Sequence, residues 1–352
     1  MVCTPHQYNN CGQQYAAALA DTFNSEWLAM FSTSHLARIM WKARIGNADV
    51  RISASATRWW SEMECEADGC KYSADQEPFL FKDLAQKKHG NDTHAEVSPA
   101  HRRKMLAILH GDNLQSLRVQ QFARQESGEG LLKATYNTEK EEPVITSAYA
   151  DFQVAEACLK RDHLPATYAY ARKVANTPAG YDVNLYMQLK AEAAAVIAPV
   201  ITYFDRVFHD ELKDQIQIFK ACALIDPVRA EQQQPAIADL NAFGLLPMLQ
   251  QRPALLQGIK AQLPAYLAEV SGMSKVNNIY EWWDTIYEAE KIPAWVEVSR
   301  YVLILRPHAA GPERIFARVR QTFGETQTGA LEDEIEAAMM SQVNEYTYTH
   351  ES

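Results

Sequence analysis

Nowhere in this chain of 352 residues is there an uninterrupted apolar run long enough to cross a bilayer. The opening MVCTPHQYNN also lacks the basic-then-apolar pattern of a secretion signal, so an intracellular protein with no membrane partner is expected. Cysteine is sparse. Cys3, Cys11, Cys65, Cys70, Cys158 and Cys222 are scattered, which excludes a disulfide framework and points to a reducing compartment. Positive charge is in deficit, with 34 basic against 44 acidic residues and a net charge of −10. That excludes a chain whose main business is non-specific binding of phosphate backbones, while leaving room for a local basic groove. Internal repeats, heptad arrays and low-complexity tracts are missing too. What remains is 47% hydrophobic and 22% charged, an ordinary globular balance able to bury a large core.

The apolar spacing is helical over most of the length. Ala17, Ala20, Phe23, Trp27 and Phe31 recur at three- and four-residue steps within a helical stretch over 13–45. VRISASATRWW, residues 50–60, changes character and reads as one short strand. Residues 87–104 read as a polar loop before a helix near 101–112, and the segment from Leu131 as an extended piece turning helical after Pro143. From 181 to 225 Val196, Val200, Tyr203, Phe204, Val207 and Phe208 share one face, with Pro199 kinking or starting the segment. A connector over 226–240 and two or three helices to about 270 follow. Asn278 with Glu281 forms an N-cap box, and Pro293 leads a helix whose buried stripe is Trp295, Val298, Val302 and Leu305. A helix opened by Glu313 carries Ile315, Phe316, Val319 and Phe323 inward, and a last one spans 329–345 with its acidic run on a solvated face.

Three groups of residues invite chemistry. Cys3 with His6 and Cys65 with Cys70 have zinc-ligand spacings, but about sixty residues separate the pairs, and small apolar core cysteines are the stronger reading. Arg58 and Trp59 suit a base-stacking platform beside a phosphate, yet spacing alone favours core packing of the tryptophan. Glu313 and Arg314 stand just after Gly311 and Pro312. A carboxylate in a first turn is favoured by the helix dipole without any catalytic role, and Arg314 reads as its exposed partner.

In order along the chain, these segments resemble hAT-superfamily DNA transposases. YEWWDTIYEAEKIPAWVEVSRYVLILRPHAAGPERIFARVRQTF, followed by ALEDEIEAAMMSQVN, is similar to their C-terminal dimerisation region. VCTPHQYNNCG looks like their Cys-x-x-His segment and SATRWWSEMEC like their Arg-Trp segment. LLKATYNTEKEEPVITSAYADFQVAEACL and YFDRVFHDELKDQIQIFKACALIDP are similar to parts of their helical insertion.

The resemblance implies a mainly α chain: a C-terminal remnant of an RNase H-like catalytic core, about one strand plus helices, interrupted by a large all-α insertion. It divides the chain into a partial core over 1–62, the insertion over 63–275 and the dimerisation region over 276–346. In the family two Asp and one Glu hold two Mg²⁺ or Mn²⁺ ions for in-line phosphoryl transfer. That Glu matches Glu313, and His6 matches the histidine near the scissile phosphate. Arg58, Trp59 and Arg314 become DNA contacts, Trp59 by stacking on a flipped base. Trp282, Trp283, Trp295, Val298, Val302 and Phe316 become dimerisation residues.

The family's two Asp precede the Cys-x-x-His segment, which starts here at Cys3, and its Ser-rich turn and following Ser are AAGP and Ala317 here. The expectation is therefore a truncated or domesticated nuclear protein that self-associates, touches DNA weakly, and takes no metal and no small-molecule substrate by itself. The alternatives are part of an active transposase using Mg²⁺ or Mn²⁺, or a helical scaffold.

Overall fold

Helix is what this sequence makes almost everywhere it can be followed. The computed structural model describes residues 3–52, 59–84, 99–139 and 144–305. The first helices are α1 (Thr4–Gly12), α2 (Ala18–Thr33), α3 (His35–Arg44), α4 (Trp59–Lys71), α5 (Ser73–Pro78) and α6 (Pro99–Ile108). Then come α7 (Asp112–Thr138), α8 (Ala148–Leu159), α9 (Pro165–Ala175), α10 (Val183–Phe204), α11 (Lys213–Cys222) and α12 (Pro227–Gln233). The series closes with α13 (Pro247–Gln251), α14 (Pro253–Ala261), α15 (Leu263–Val270), α16 (Ile279–Glu288) and α17 (Pro293–Ile304). Among the described residues the sole sheet is a hairpin, Asn176–Thr177 against Gly180–Tyr181, with Asn176 opposite Tyr181. The chain is mainly α. No helix among the described residues is long and apolar enough to cross a membrane.

The strand expected over 50–60 is not seen in the described part of that segment. Residues 50–52 belong to no helix or strand, and Trp59 and Trp60 already belong to α4. The Arg51 N–H donates to the Asp68 carboxylate at 2.7 Å instead of entering a ladder. An isolated strand leaves its amides unpaired, so β-propensity without a partner does not hold it.

A central rod, α7, organises the rest. Helices α1, α2, α4, α8, α9 and α10 all pack on it. It is buried along most of its length, with Leu117, Val119, Ala123, Leu131 and Ala134 inside beside Arg118, Gln121, Arg124, Ser127 and Thr135. Hydroxyls here are satisfied locally: Ser127 donates to the Ala123 carbonyl at 2.7 Å and Thr135 to Leu131 at 2.8 Å. The extended piece expected from Leu131 is instead the last two turns of this helix, because α8 covers it. Contact there is backbone to backbone. A Cβ at Gly130 would lie 2.7 Å from the Val154 carbonyl oxygen, so glycine is what lets α8 come so close.

Pro199 lies inside α10 and does not begin it. Three residues before it, the Val196 carbonyl accepts the Ala16 N–H at 3.1 Å, so a loop from the chain's start is sewn onto the proline-interrupted turn. At its far end α10 widens into a π-helical turn over Asp205–Glu211, and Phe204, Phe208, Phe152 and Tyr8 pack together beneath it. Residues 226–240, expected to be a plain connector, contain α12, capped by Asp226 accepting from Val228 N–H at 3.0 Å.

The end of the described chain follows its local signals. Asn278 Oδ1 accepts from the Tyr280 N–H at 2.9 Å, its amide donates to Glu281, and Pro293 occupies the first turn of α17. Trp295 stacks on Tyr266 at 4.0 Å, and its indole N–H donates to the Ile259 carbonyl. Trp283 likewise donates to Ile225. One apolar core runs unbroken from Tyr8 to Leu303, across both boundaries expected at 62/63 and 275/276.

Candidate functional site

Polar residues at positions 118, 121 and 124 place Arg118, Gln121 and Arg124 on one side of α7, three residues apart. Such a stripe is usually solvated, but here α2 and α4 cover it. Arg124 grips Glu66 of α4 with two N–H groups, Nε to Oε1 at 3.2 Å and Nη2 to Oε2, and reaches Asp21 of α2 with Nη1. Glu66 also accepts from the Asn24 amide. Arg118 donates to Gln121 at 2.7 Å and to Gln76 at 2.6 Å, and Gln76 passes a bond to the Gly69 carbonyl. The Glu66 side chain has no exposure and Arg124 only 4%.

Burial works against charge on Arg124, but Glu66 and then Asp21 overcome it and hold the guanidinium charged. Arg118 lacks a carboxylate within ion-pair reach among the described residues, and burial pulls its pKa down. Above the network lies a cleft of about 380 Å³, bordered by Asp21, Ser25, Ser32 and Glu62 with Arg124 beneath. Burial pushes the Glu62 carboxyl upward; Arg124 opposes this while Asp21 and Glu66 add to it. Three carboxylates around one guanidinium repel phosphate, so this cleft is no nucleic-acid groove. Its evident work is to tie α2, α4 and α7 together.

The residues expected from sequence fall in several places. Arg58, Glu313, Arg314 and Phe316 lie outside the described residues. His6 is exposed on α1. One turn further along the same helix, Asn9 Oδ1 accepts the Trp59 backbone N–H at 2.8 Å. The Trp59 ring is 6% exposed, stacked on Tyr15 at 5.6 Å and pressed on Gly12 so closely that a Cβ there would fall 2.0 Å from the indole. Trp59 thus sits as a core residue, with no free face for a flipped base. Trp283, Trp295, Val298 and Val302 are 0–3% exposed and spend their apolar surface inside the chain, whereas Trp282 is half-buried.

No three of Cys3, His6, Cys65 and Cys70 come within ligand reach of one another. Cys65 and Cys70 are buried, and burial pushes the Cys70 thiol up to about 12. The sole described convergence of metal-ligand types is Glu156, Asp205 and His209. There Lys160 already supplies the cation, 2.9 Å from Glu156 and 2.7 Å from Asp205, while His209 approaches Glu156 at 2.7 Å. Burial raises and the Lys160 and His209 hydrogen bonds lower the Glu156 pKa, and the lowering wins. The described residues therefore do not fit a two-metal centre.

Sequence reasoning missed Arg118, Arg124, Glu66 and Asp21. The two arginines carry one signal, the three-residue spacing on α7, which a solvated face shares, and Glu66 and Asp21 carry none. No family model, curated protein or solved structure matches this chain.

Proposed function

We propose that this chain is an hAT-transposase-type protein that acts in the nucleus as a self-associating helical body with weak DNA contact. The observation that supports the family reading best is the meeting of two motifs fifty residues apart. The helix of the Cys-x-x-His segment receives the Trp59 N–H through Asn9 and the Trp59 ring on Gly12, so the two segments act as one unit with His6 on its exposed side. No strand-transfer step is assigned, since Glu313 lies outside the described residues; Mg²⁺ or Mn²⁺ enters only if Glu313 meets two further Asp.

Self-association in this reading uses the outer face of α16 and α17, not their buried stripe. Tyr287, 54% exposed, stacks under Arg300 at 4.1 Å, and Tyr301 and Ile304 are exposed on α17. A second reading, a monomeric helical scaffold, is favoured by the closure of Trp283, Trp295, Val298 and Val302 within one chain. Sedimentation velocity at micromolar concentration separates the two. The first predicts a dimer that Tyr301→Glu with Ile304→Glu turns into a monomer, together with binding of a duplex bearing short terminal inverted repeats. A wild-type monomer indifferent to that duplex leaves the scaffold.

A further inference from the structure

A second cleft, of about 400 Å³, opens where α8, the end of α11 and the link leading out of α12 meet. Tyr149 and Gln153 stand one turn apart on α8, and Lys220 and Leu224 one turn apart at the end of α11, so each pair faces the cleft together. Gln233, Pro235 and Asp239 form the third wall. One side is apolar: Leu224 is 2% exposed, Pro235 is buried, and the Tyr149 ring stacks on Phe152 at 6.1 Å. The Gln153 and Gln233 amides and the Tyr149 hydroxyl bond no other described residue, so their donors and acceptors are open to an occupant.

Opposite charges stand at the same cleft without closing on each other. The Lys220 ammonium is 3.6 Å from Asp239 Oδ1, beyond hydrogen-bond length, and both side chains are part-exposed. Asp239 is held in place from its other side, where Oδ2 accepts the Ala236 N–H at 2.9 Å at the start of the 3₁₀ turn Ile237–Leu245. Gln234, between two of the lining residues, has a φ of 45°, a left-handed conformation that non-glycine residues rarely adopt. Its side-chain amide secures it by donating to the Glu231 carbonyl and carboxylate, both at 2.8 Å. The wall that carries Gln233 and Pro235 is therefore fixed in shape.

We propose that this cleft binds a free α-amino acid with an apolar or aromatic side chain. Its carboxylate would take the Lys220 ammonium and its own ammonium the open Oδ1 of Asp239, completing a pair that the protein leaves loose. The side chain would lie along Tyr149, Leu224 and Pro235, with Gln153 and Gln233 serving the remaining N–H groups and oxygens. A lone anion, phosphate included, would meet Asp239 beside the cation meant to hold it, and a lone cation would meet Lys220 in the same way. Only a ligand carrying both charges satisfies both residues. The volume is within the range of small-molecule sites. This site departs from the expected absence of a small-molecule ligand, and it uses neither the metal set nor the self-association discussed above.

Isothermal titration calorimetry of the full chain with L-phenylalanine should show one site with a Kd of about one millimolar or tighter, as expected for so small a ligand. Phenethylamine, which lacks the carboxylate, and 3-phenylpropionate, which lacks the ammonium, should each bind about tenfold more weakly or worse. Lys220→Met should weaken phenylalanine about tenfold without weakening phenethylamine. Asp239→Asn keeps an oxygen for the Ala236 N–H, and should weaken phenylalanine as much without weakening 3-phenylpropionate. Circular dichroism checks that both variants keep the fold, and the comparison of the three ligands on the unaltered chain stands without them. Lys190→Met, outside the lining of the cleft, should bind like wild type. The proposal is overturned if phenylalanine does not bind at about ten millimolar, if either analogue binds as tightly, or if either cleft variant binds phenylalanine like wild type.

Discussion

Replacing Glu66 by leucine tests how the interior of this chain tolerates charge. The substitution removes the two hydrogen bonds that Arg124 donates to Glu66, and the one from Asn24. It leaves a guanidinium that is 4% exposed with a single carboxylate, Asp21, itself 54% exposed and well screened. Stranding one member of a buried pair costs about 3–5 kcal/mol, about a fifth or more of the roughly 5–15 kcal/mol that keeps a typical domain folded. Arg124→Met in the same background removes the stranded charge and fills the volume, so the double variant should recover most of the loss. Equilibrium urea unfolding of the four proteins in the cycle should give a coupling of about 3 kcal/mol. If the two single changes add, or if Glu66→Leu costs less than about 1 kcal/mol, the pair is not enclosed as described. Asp21→Asn provides the contrast, with a loss below about 1 kcal/mol, because an exposed partner is worth little.

Gly12→Ala should destabilise by about 1–3 kcal/mol, since the new methyl must push back the Trp59 indole, and thermal unfolding followed by tryptophan fluorescence will register it. Trp59→Ala should cost about 3–5 kcal/mol as a core deletion; unchanged stability would argue for an exposed ring. Glu62 has a folded pKa above its unfolded one. Its favourable contribution is full below the ordinary carboxyl range and is lost as pH rises through the folded value. Glu62→Gln should therefore stabilise the protein at pH 7, with the gain vanishing in acid, as unfolding midpoints across that range will show. Of the six thiols, Cys3 and Cys158 are part-exposed while Cys11, Cys65, Cys70 and Cys222 are buried. A disulfide reagent at mildly alkaline pH should titrate two quickly and the other four only after unfolding, since burial also pushes Cys70 and Cys222 up to about 12.

Much of the helical architecture was legible, and the reasons it faded are local. The caps at Asn278 and Pro293 act on their own neighbours, so sequence revealed them directly. In α7 the helix periodicity is blurred, because Arg118, Gln121, Arg124 and Thr135 are as deeply buried as Leu117 or Ala134. An arginine facing a hidden glutamate looks, in sequence, like one facing water. Val50 and Ile52 have strand-like character, but sheet formation depends on a partner that no single segment encodes. The Trp59 environment needed Gly12 and Tyr15 brought to it from α1 and the loop beyond, and the stripe of α17 was read correctly as buried at Trp295, Val298 and Val302, whereas Leu305 caps the helix half-buried.

Because the rod on which the early helices rest is not complete until residue 138, α1, α2 and α4 lack a main packing partner until then, although Trp27, Phe31, Trp41 and Phe79 can already cluster among themselves. Further closures come later still: Ala16 waits for Val196, Gln7 for Tyr203 and Thr4 for Gln215. Such far-separated pairings slow folding. The segment from Thr4 to Ala16 should therefore stay open to proteases and chaperones until the residues up to Gln215 have been made.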